Sequence, residues 1–463
     1  MSKKRIGIVG AGQAGLLAAH GFLQQGCEVS LYSEQSPDDF LTLVQPTGAA
    51  ARFHTALEYE RELGLNHWEH EVRWTTYAHV SLCAGANNRL MTMCGRLQKP
   101  ACAIDLRLQS HRWMRDFESG GGQLFIERVS VARLDEIAKE NDLTLVAAGR
   151  GEIRRVFERD DARSTHTKPV RQLAMVGVTG TPQHFDGAHG HPVKFNLFPD
   201  HGECFWMPWH HKDAKTRGAA LLVEARPGGP LDKFREAQSA EQVAEILLKL
   251  IKEMMPWDYA WARNMQPADA NAWLSGTFVP EIKKPVGTLP SGRIVMAVGD
   301  AAMSIDPIAG QGANCGNKMV RHLVQRAQAH GDVPFDATWM NATFDSFWQR
   351  HHWIDKLTNL FLAPMTDAGK EFLIAGFGST GRPDDDSPQQ RIADAFANNF
   401  DDPAQLTQAL YDIKEARQTI ERLGRRHWML AKLKGVARIG KGQVMQKLGR
   451  DPNHPSTAPF ALT

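Results

Sequence analysis

The sequence predicts an α/β protein: a Rossmann-like domain with a parallel sheet, an antiparallel-sheet domain, and a C-terminal helical region. Three observations carry that prediction. The chain opens on an apolar run, Ile6 to Val9, which passes into Gly10-Ala11-Gly12-Gln13-Ala14-Gly15 and then a helical pattern. A later run, Ile294 to Val298, passes in the same way into a Gly-rich loop ahead of a helix. Between them, alternating strands and helices give way from Gln172 onward to a block of short strands.

Composition narrows the class. A chain of 463 residues, 42% hydrophobic and 23% charged, has room for two or three cores and reads as globular. A net charge of +2 sets up no field that would argue for nucleic acid. The six cysteines form no CxxC pair, so neither structural zinc nor a disulfide framework is expected, and reduced thiols suggest the cytoplasm. Lys3-Lys4-Arg5 precedes an apolar run too short for a signal peptide. No apolar stretch reaches the roughly 18 residues of a membrane span.

Taken in order, Gly10 permits a tight turn, Gly12 lets the backbone approach a pyrophosphate, and Gly15 lets the helix from Leu16 to Leu23 pack on the strand. The second strand, Glu28 to Tyr32, ends at Ser33-Glu34, where an adenosine ribose would be bound. Either residue can serve, and a solvated acid is the alternative. Phe40 to Thr47 is apolar and ends Gln45-Pro46-Thr47, and Gly48 to Leu63 reads as a helix. Val72 to Leu82 and Leu90 to Leu97 form a hairpin about Gly85-Ala86-Asn87-Asn88. Ile104 to Leu108 leads into a helix that begins near Arg107, a candidate for the pyrophosphate whose alternative is a surface ion pair. Gln123 to Val129 is a strand, Val131 to Lys139 a turn and short helix, and Leu143 to Ala148 a buried strand closing at Gly149.

The second sheet takes Leu173 to Val178, Val193 to Phe198, Glu203 to Trp209 and Ala219 to Glu224, and is the natural place for a substrate. His184, His189, His191, His201, His210 and His211 crowd this region without a third ligand at a metal-like spacing, so no metal is expected. Trp206-Met207-Pro208-Trp209 either packs or walls a pocket. Leu231 to Met255 reads as an amphipathic helix. After Val298 come Gly299-Asp300-Ala301-Ala302 and Asp306-Pro307-Ile308-Ala309-Gly310-Gln311-Gly312-Ala313-Asn314, then a helix. Such a loop offers N–H donors and a positive dipole to an anionic ligand. Helices are expected at Ala337 to Phe361 and Pro403 to Leu423, with Asp384-Asp385-Asp386 as a linker or solvated turn. Arg425 to Arg450 is basic and carries no acid; it reads as a solvated face, with partner docking or an oligomer contact as alternatives.

With both glycine stretches in view, the chain resembles the flavoprotein monooxygenases of the para-hydroxybenzoate hydroxylase type. It is closest among these to the FAD-dependent oxygenase component of two-component styrene and indole monooxygenases. The resemblance runs from Lys4 to the helix after Asn314, through the opening fingerprint, Asp105-Leu106-Arg107-Leu108, Val298-Gly299-Asp300, Asp306-Pro307 and Gly310 to Asn314. It implies FAD contacts at Gly10, Ala11, Gly12, Gln13, Ala14, Gly15, Ser33, Glu34, Gln45, Arg107, Val129, Ala148, Gly149, Asp300, Pro307, Gly310, Gly312, Ala313 and Asn314. Asp300 would bond the ribityl chain. The amides of Gly312, Ala313 and Asn314 would face the flavin N1 and C2 carbonyl.

The domain division this implies is 1–165 for the first part of the FAD-binding domain, hairpin included, and 166–284 for the substrate domain. The second FAD-binding part is 285–345, and the helical region with its basic tail is 346–463. Single-component relatives carry an Asp-Gly motif where this chain has Ala147-Ala148-Gly149-Arg150, and no second GxGxxG is present. Reduced FAD (FADH2) is therefore expected from a separate NADH-dependent flavin reductase. With O2 it would form a C4a-hydroperoxide that epoxidises a small aromatic alkene such as styrene or indole. No catalytic side chain is implied. Thr47, Pro307 and Asn314 are expected near the reacting atoms, and Phe205 and Met207 in the pocket wall.

Leu43-Val44-Gln45-Pro46-Thr47 replaces an Arg-Leu-Leu-Asn run of the styrene enzymes, which leaves the substrate open. A single-component NAD(P)H-dependent hydroxylase and a flavin-binding protein without oxygenase activity are the alternatives. The Trp-x-Trp-x-Ile-Pro motif of flavin halogenases does not fit Trp206 to Trp209. A homodimer stays open, and neither nucleic acid nor a membrane span is expected.

Overall fold

Six strands make the first sheet, and the near-continuous apolar runs of Arg5–Val9, Leu143–Val146 and Ile294–Ala297 follow from burial on both faces. The computed structural model describes residues 3–149, 151–182, 191–213 and 217–448, so Arg150, His184, His189 and Arg450 lie outside the described residues. The sheet order is Gln123–Ile126, Glu28–Ser33, Arg5–Val9, Leu143–Val146, Ile294–Ala297 and Val286–Thr288. All pair in parallel except the last, which runs antiparallel to its neighbour. The Gln13–Gln24 helix packs against the helices Gly312–Ala329 and Leu106–Ser119, so both glycine-rich turns open at one edge of this sheet.

The second sheet differs from its expected form. Its order is Gln266–Pro267, Gln172–Thr179, Arg217–Ala225, Gly202–His210, His191–Phe198, Thr75–Gly85 and Asn88–Ala101, with Trp273–Gly276 also paired to Gln172–Thr179. The hairpin assigned to segment 1–165 thus hydrogen-bonds into the sheet of the following segment, through a parallel pairing of Thr75–Gly85 with His191–Phe198. A two-stranded ribbon is marginal by itself, and joining the larger sheet buries it.

Several helices are shorter than their apolar patterns suggest. The expected helix from Gly48 begins only at His54, because Arg52 pairs as a β-bridge with Cys102. The expected helix from Leu231 begins at Ala240, where the Ser239 side chain accepts from Gln242 N. Ala337 to Phe361 divides at His352 into Ala337–His351 and Trp353–Leu362. Pro403 to Leu423 becomes Thr407–Tyr411 and Ile413–Gly424, separated by the extended Asp412, which caps the second piece. The basic stretch is the helix Trp428–Lys447; Lys432 pairs with Glu371 at 2.6 Å and Arg438 donates to Phe377 O at 2.9 Å. Met429, Leu430, Leu433, Val436 and Val444 are exposed on this helix. No described helix is long and apolar enough to cross a membrane.

The helix Pro388–Asn398 lies directly on the hairpin strand Asn88–Ala101. A Cβ on Gly95 would stand 2.0 Å from Ala393 O, so the contact tolerates no side chain there. Gly95→Val is expected to destabilise the fold by about 1–3 kcal/mol through overpacking. Gly440→Ala meets nothing within 4 Å on the last helix and is expected to stabilise by up to about 1 kcal/mol. Denaturant midpoints at unchanged m-value check both.

Candidate cofactor and substrate site

The groove begins where the first strand ends. Gly10 has φ +111°, a conformation that favours glycine, and its N–H donates to Tyr32 O at 2.9 Å. A Cβ on Gly15 would lie 1.8 Å from Gly10 O, so the helix rests on the turn with no intervening side chain. Gly12, the N-cap, faces open space: a Cβ there meets nothing within 4 Å.

The second loop repeats the arrangement. Asp300 is exposed, and a Cβ on Gly149 would come 2.9 Å from its Cβ, so the ends of two adjacent parallel strands meet there. Asp306 accepts from Ile308 N at 3.1 Å, closing the turn that carries Pro307, and Gly310 and Gly312 both face open space. Neither the Gln13–Gln24 nor the Gly312–Ala329 helix has a side-chain cap, whereas Asp105, Ser130, Ser239, Asp336, Thr366 and Ser387 cap other helices of the chain. Two bare helix N-termini beside open glycines form a donor set that suits a pyrophosphate and the anionic edge of a flavin.

Some predicted residues stand elsewhere than expected. The Ser33 hydroxyl is buried and donates to Gln35 O at 2.6 Å, while Glu34 points outward, 3.9 Å from Arg128. Gln45 is exposed, and Val129, Ala147 and Ala148 pack against the core of the first domain. Arg107 is a buried residue whose guanidinium binds Asp105 at 2.7 Å and Asp269 at 2.9 Å, an internal junction between the Leu106–Ser119 helix and the segment that carries Asp269. His211 joins the junction, 2.6 Å from Asp269. Burial alone would raise the Asp269 carboxyl, but the bonds from His211 and Arg107 overcome it and hold the group well below the usual carboxylate range.

The Asn314 side chain accepts from Phe53 N at 2.9 Å and donates to Ala51 O at 2.9 Å and Gly310 O at 2.7 Å, so it clamps backbone and lines neither cavity described here. Thr47 is exposed and also lines none of the cavities described here.

Beside the second loop lies a cavity with about 490 Å³ of empty volume, its open mouth included. Pro307, Ala309 and Gly310 form one wall, and Phe205, Met207, Val193 and Phe195 of the antiparallel sheet another. The hairpin adds Thr75, Tyr77 and Ala78, the 48–53 segment adds Ala49, Ala50, Ala51 and Phe53, and the C-terminal region adds Ala397 and Phe400. No charged side chain lines it. Sequence reasoning placed Phe205, Met207 and Pro307 here but missed the alanines, Tyr77 and Phe400. The alanine run was visible as small residues; nothing local marks Phe400.

Behind this turn sits a group of buried acids. Glu203 and Glu224 stand opposite each other in register on neighbouring strands. Arg171 reaches Glu203 at 3.3 Å, and Asp306 faces the pair. Neither Glu224 oxygen accepts from an N–H or hydroxyl donor. Burial, then the neighbouring carboxylates Asp306 and Glu203, push Glu224 well above the usual range. Burial pushes Glu203 up to about 7 against the pull of Arg171. Burial raises Asp306 too, opposed by the Ile308 N–H, Arg171 and His166. These three carboxyls therefore bind protons more tightly in the folded chain than in the unfolded one, so their contribution to stability is fully present below the ordinary carboxylate range and is lost as pH rises through their folded values.

A family model described as "Styrene monooxygenase A putative substrate binding domain" matches residues 149–261. That range omits the hairpin and the C-terminal helices that complete the cavity. The styrene monooxygenase StyA of Pseudomonas fluorescens is 28% identical over 414 residues, covering 87% of this chain and 94% of the relative. A StyA from Pseudomonas sp matches with the same identity and coverage. Among solved structures, a tetrameric form of 2-methyl-3-hydroxypyridine-5-carboxylic acid oxygenase aligns with TM-score 0.54 at 15% identity, covering 85% of this chain and 96% of that one. The flavin-dependent brominase Bmp2 aligns with TM-score 0.55 at 12% identity, covering 97% and 100%.

The two StyA relatives and a fold shared with flavin-dependent enzymes support a flavin monooxygenase, an oxidoreductase. Within that class it is styrene monooxygenase-like, as the substrate-domain match and the two StyA relatives show.

Two outcomes are expected. Stability falls as pH rises from about 5 through 7, and Glu224→Gln, which stays neutral, flattens that fall; thermal midpoints across pH check it. Asp269→Asn weakens the junction while Arg107 keeps its pairing with Asp105, and is expected to cost about 1–3 kcal/mol. Chemical denaturation measures it.

Proposed function

We propose that the chain epoxidises a small neutral aromatic alkene, such as styrene or indole, using reduced FAD supplied by a separate NADH-dependent reductase. The uncharged lining of the cavity beside Pro307 and Gly310 carries this reading. A substrate carboxylate or phenolate would enter it without a counter-charge, at a large desolvation cost, whereas an apolar ring would be taken up readily.

The residues assigned to the cofactor divide by place. Gly10 to Gly15 receive the pyrophosphate, Glu34 the ribose, and Asp300 the ribityl chain. The backbone amides of Gly312, Ala313 and Asn314 face the flavin ring. Bound reduced FAD supplies the activated oxygen from O2, and no side-chain base is required. The protein's part is to hold the alkene against the Pro307 turn, with Phe205, Met207 and Ala78 limiting its positions, and to keep water out.

Ala147-Ala148-Gly149 carries no acid where single-component relatives bind a nicotinamide donor, which supports an external electron source. The six cysteines are unpaired, in keeping with the reducing cytoplasm where NADH and a reductase are available.

Product analysis by mass spectrometry should find epoxide from styrene when FAD, NADH and a generic flavin reductase are supplied, and little NADH oxidation by the chain alone. Rapid substrate-dependent NADH oxidation without reductase would instead favour the single-component hydroxylase. Ala78→Phe, which fills the cavity, is expected to cut epoxide formation about tenfold or more, equivalent to about 1.4 kcal/mol, while flavin affinity measured by fluorescence stays unchanged.

A further inference from the structure

A second, larger cavity adjoins the first. It has about 890 Å³ of empty volume, the mouth included, and apolar walls that include Leu197, Leu360, Met365 and Leu373. Arg171, Glu203 and Arg226 stand among its lining as its charged residues.

The two cavities share Phe195 and Phe400, and the cofactor-loop turn alternates between them. Pro307 and Ala309 line the smaller, Ile308 the larger. The Phe400 ring is the centre of the partition. It stacks at 6.0 Å on Phe53, which lines the smaller cavity, and at 6.0 Å on Phe361, which lines the larger. Phe195 stacks on it at 6.0 Å as well.

The partition is fastened to the cofactor loop. Gln311 Nε2 donates to Phe400 O at 2.9 Å and to Ala309 O at 3.0 Å. Its aliphatic and aromatic walls suit the ring of a small apolar ligand, with Arg171, Glu203 and Arg226 as the charged part of the lining.

We propose that the larger cavity is a second binding site for a small neutral aromatic hydrocarbon, separated from the site at the cofactor loop by the Phe400 ring. The choice of ligand class rests on the function proposed above.

Styrene itself is the probe, in equilibrium dialysis against the full chain without cofactor. Two equivalents per chain are expected, falling to one in Leu373→Trp, which fills the larger cavity. Met365→Trp fills the same space from a half-buried position and is expected to give the same loss. One equivalent in the unaltered chain, or two retained in both variants when circular dichroism shows them folded, overturns the proposal. Epoxide formation is read separately. Epoxide with a single equivalent bound would overturn this second site alone, and two equivalents without epoxide would overturn the epoxidase reading alone.

Discussion

The cavity beside the second glycine-rich loop is held open by two side-chain amides of that loop that bind backbone. Asn314 joins the 51–53 segment to Gly310, and Gln311 joins Ala309 to Phe400. Three pieces of chain distant in sequence are thereby held around one space. Each such bond has a net worth of about 0.5–1.5 kcal/mol, but an unmet buried backbone group costs more than its bond returns, so removing either amide would loosen the whole enclosure. This also explains why Gly48 to Phe53 is extended. Its backbone partners are Asn314 and the Cys102 bridge, which a helix would have to give up.

Buried charges fasten the rest. Arg52 and Glu60 pair at 2.7 Å, Arg52 reaches Gln109 at 2.7 Å, and Asn317 donates to Glu60 at 2.9 Å. That network ties the helices His54–Glu62, Leu106–Ser119 and Gly312–Ala329 together behind the groove. Lys194 and Asp258 do the same between the second sheet and the residues that follow Ala240–Met254. Desolvation offsets most of the attraction in such pairs, so they set geometry more than they add stability.

The C-terminal helices are part of the site. Arg96 forms a forked pair with Asp394, and Gln390 donates to Cys94 O at 2.9 Å, which presses Pro388–Asn398 onto the hairpin and brings Ala397 and Phe400 to the cavity. The match to a substrate-binding domain covers residues 149–261 and therefore accounts for only part of the substrate wall.

The two glycine loops were legible in the sequence because their constraints are local. A positive φ at Gly10, a close approach at Gly15 and a helix N-terminus left bare at Gly312 each concern a few neighbouring residues. The strand block was legible for the same reason, through alternation and turn residues. The side-chain partners of Arg107 and Asn314 were not legible, because residue type shows what a side chain can bind but not what lies nearest. Asp269 is far along the chain from Arg107, and Phe53 far from Asn314. By itself the sequence determined the parallel sheet, its two glycine-rich turns and the likeness to styrene monooxygenases. Only the tertiary structure decided which sheet receives the hairpin, where Phe400 stands and how the cavity is closed, because those depend on long-range packing that no local pattern encodes.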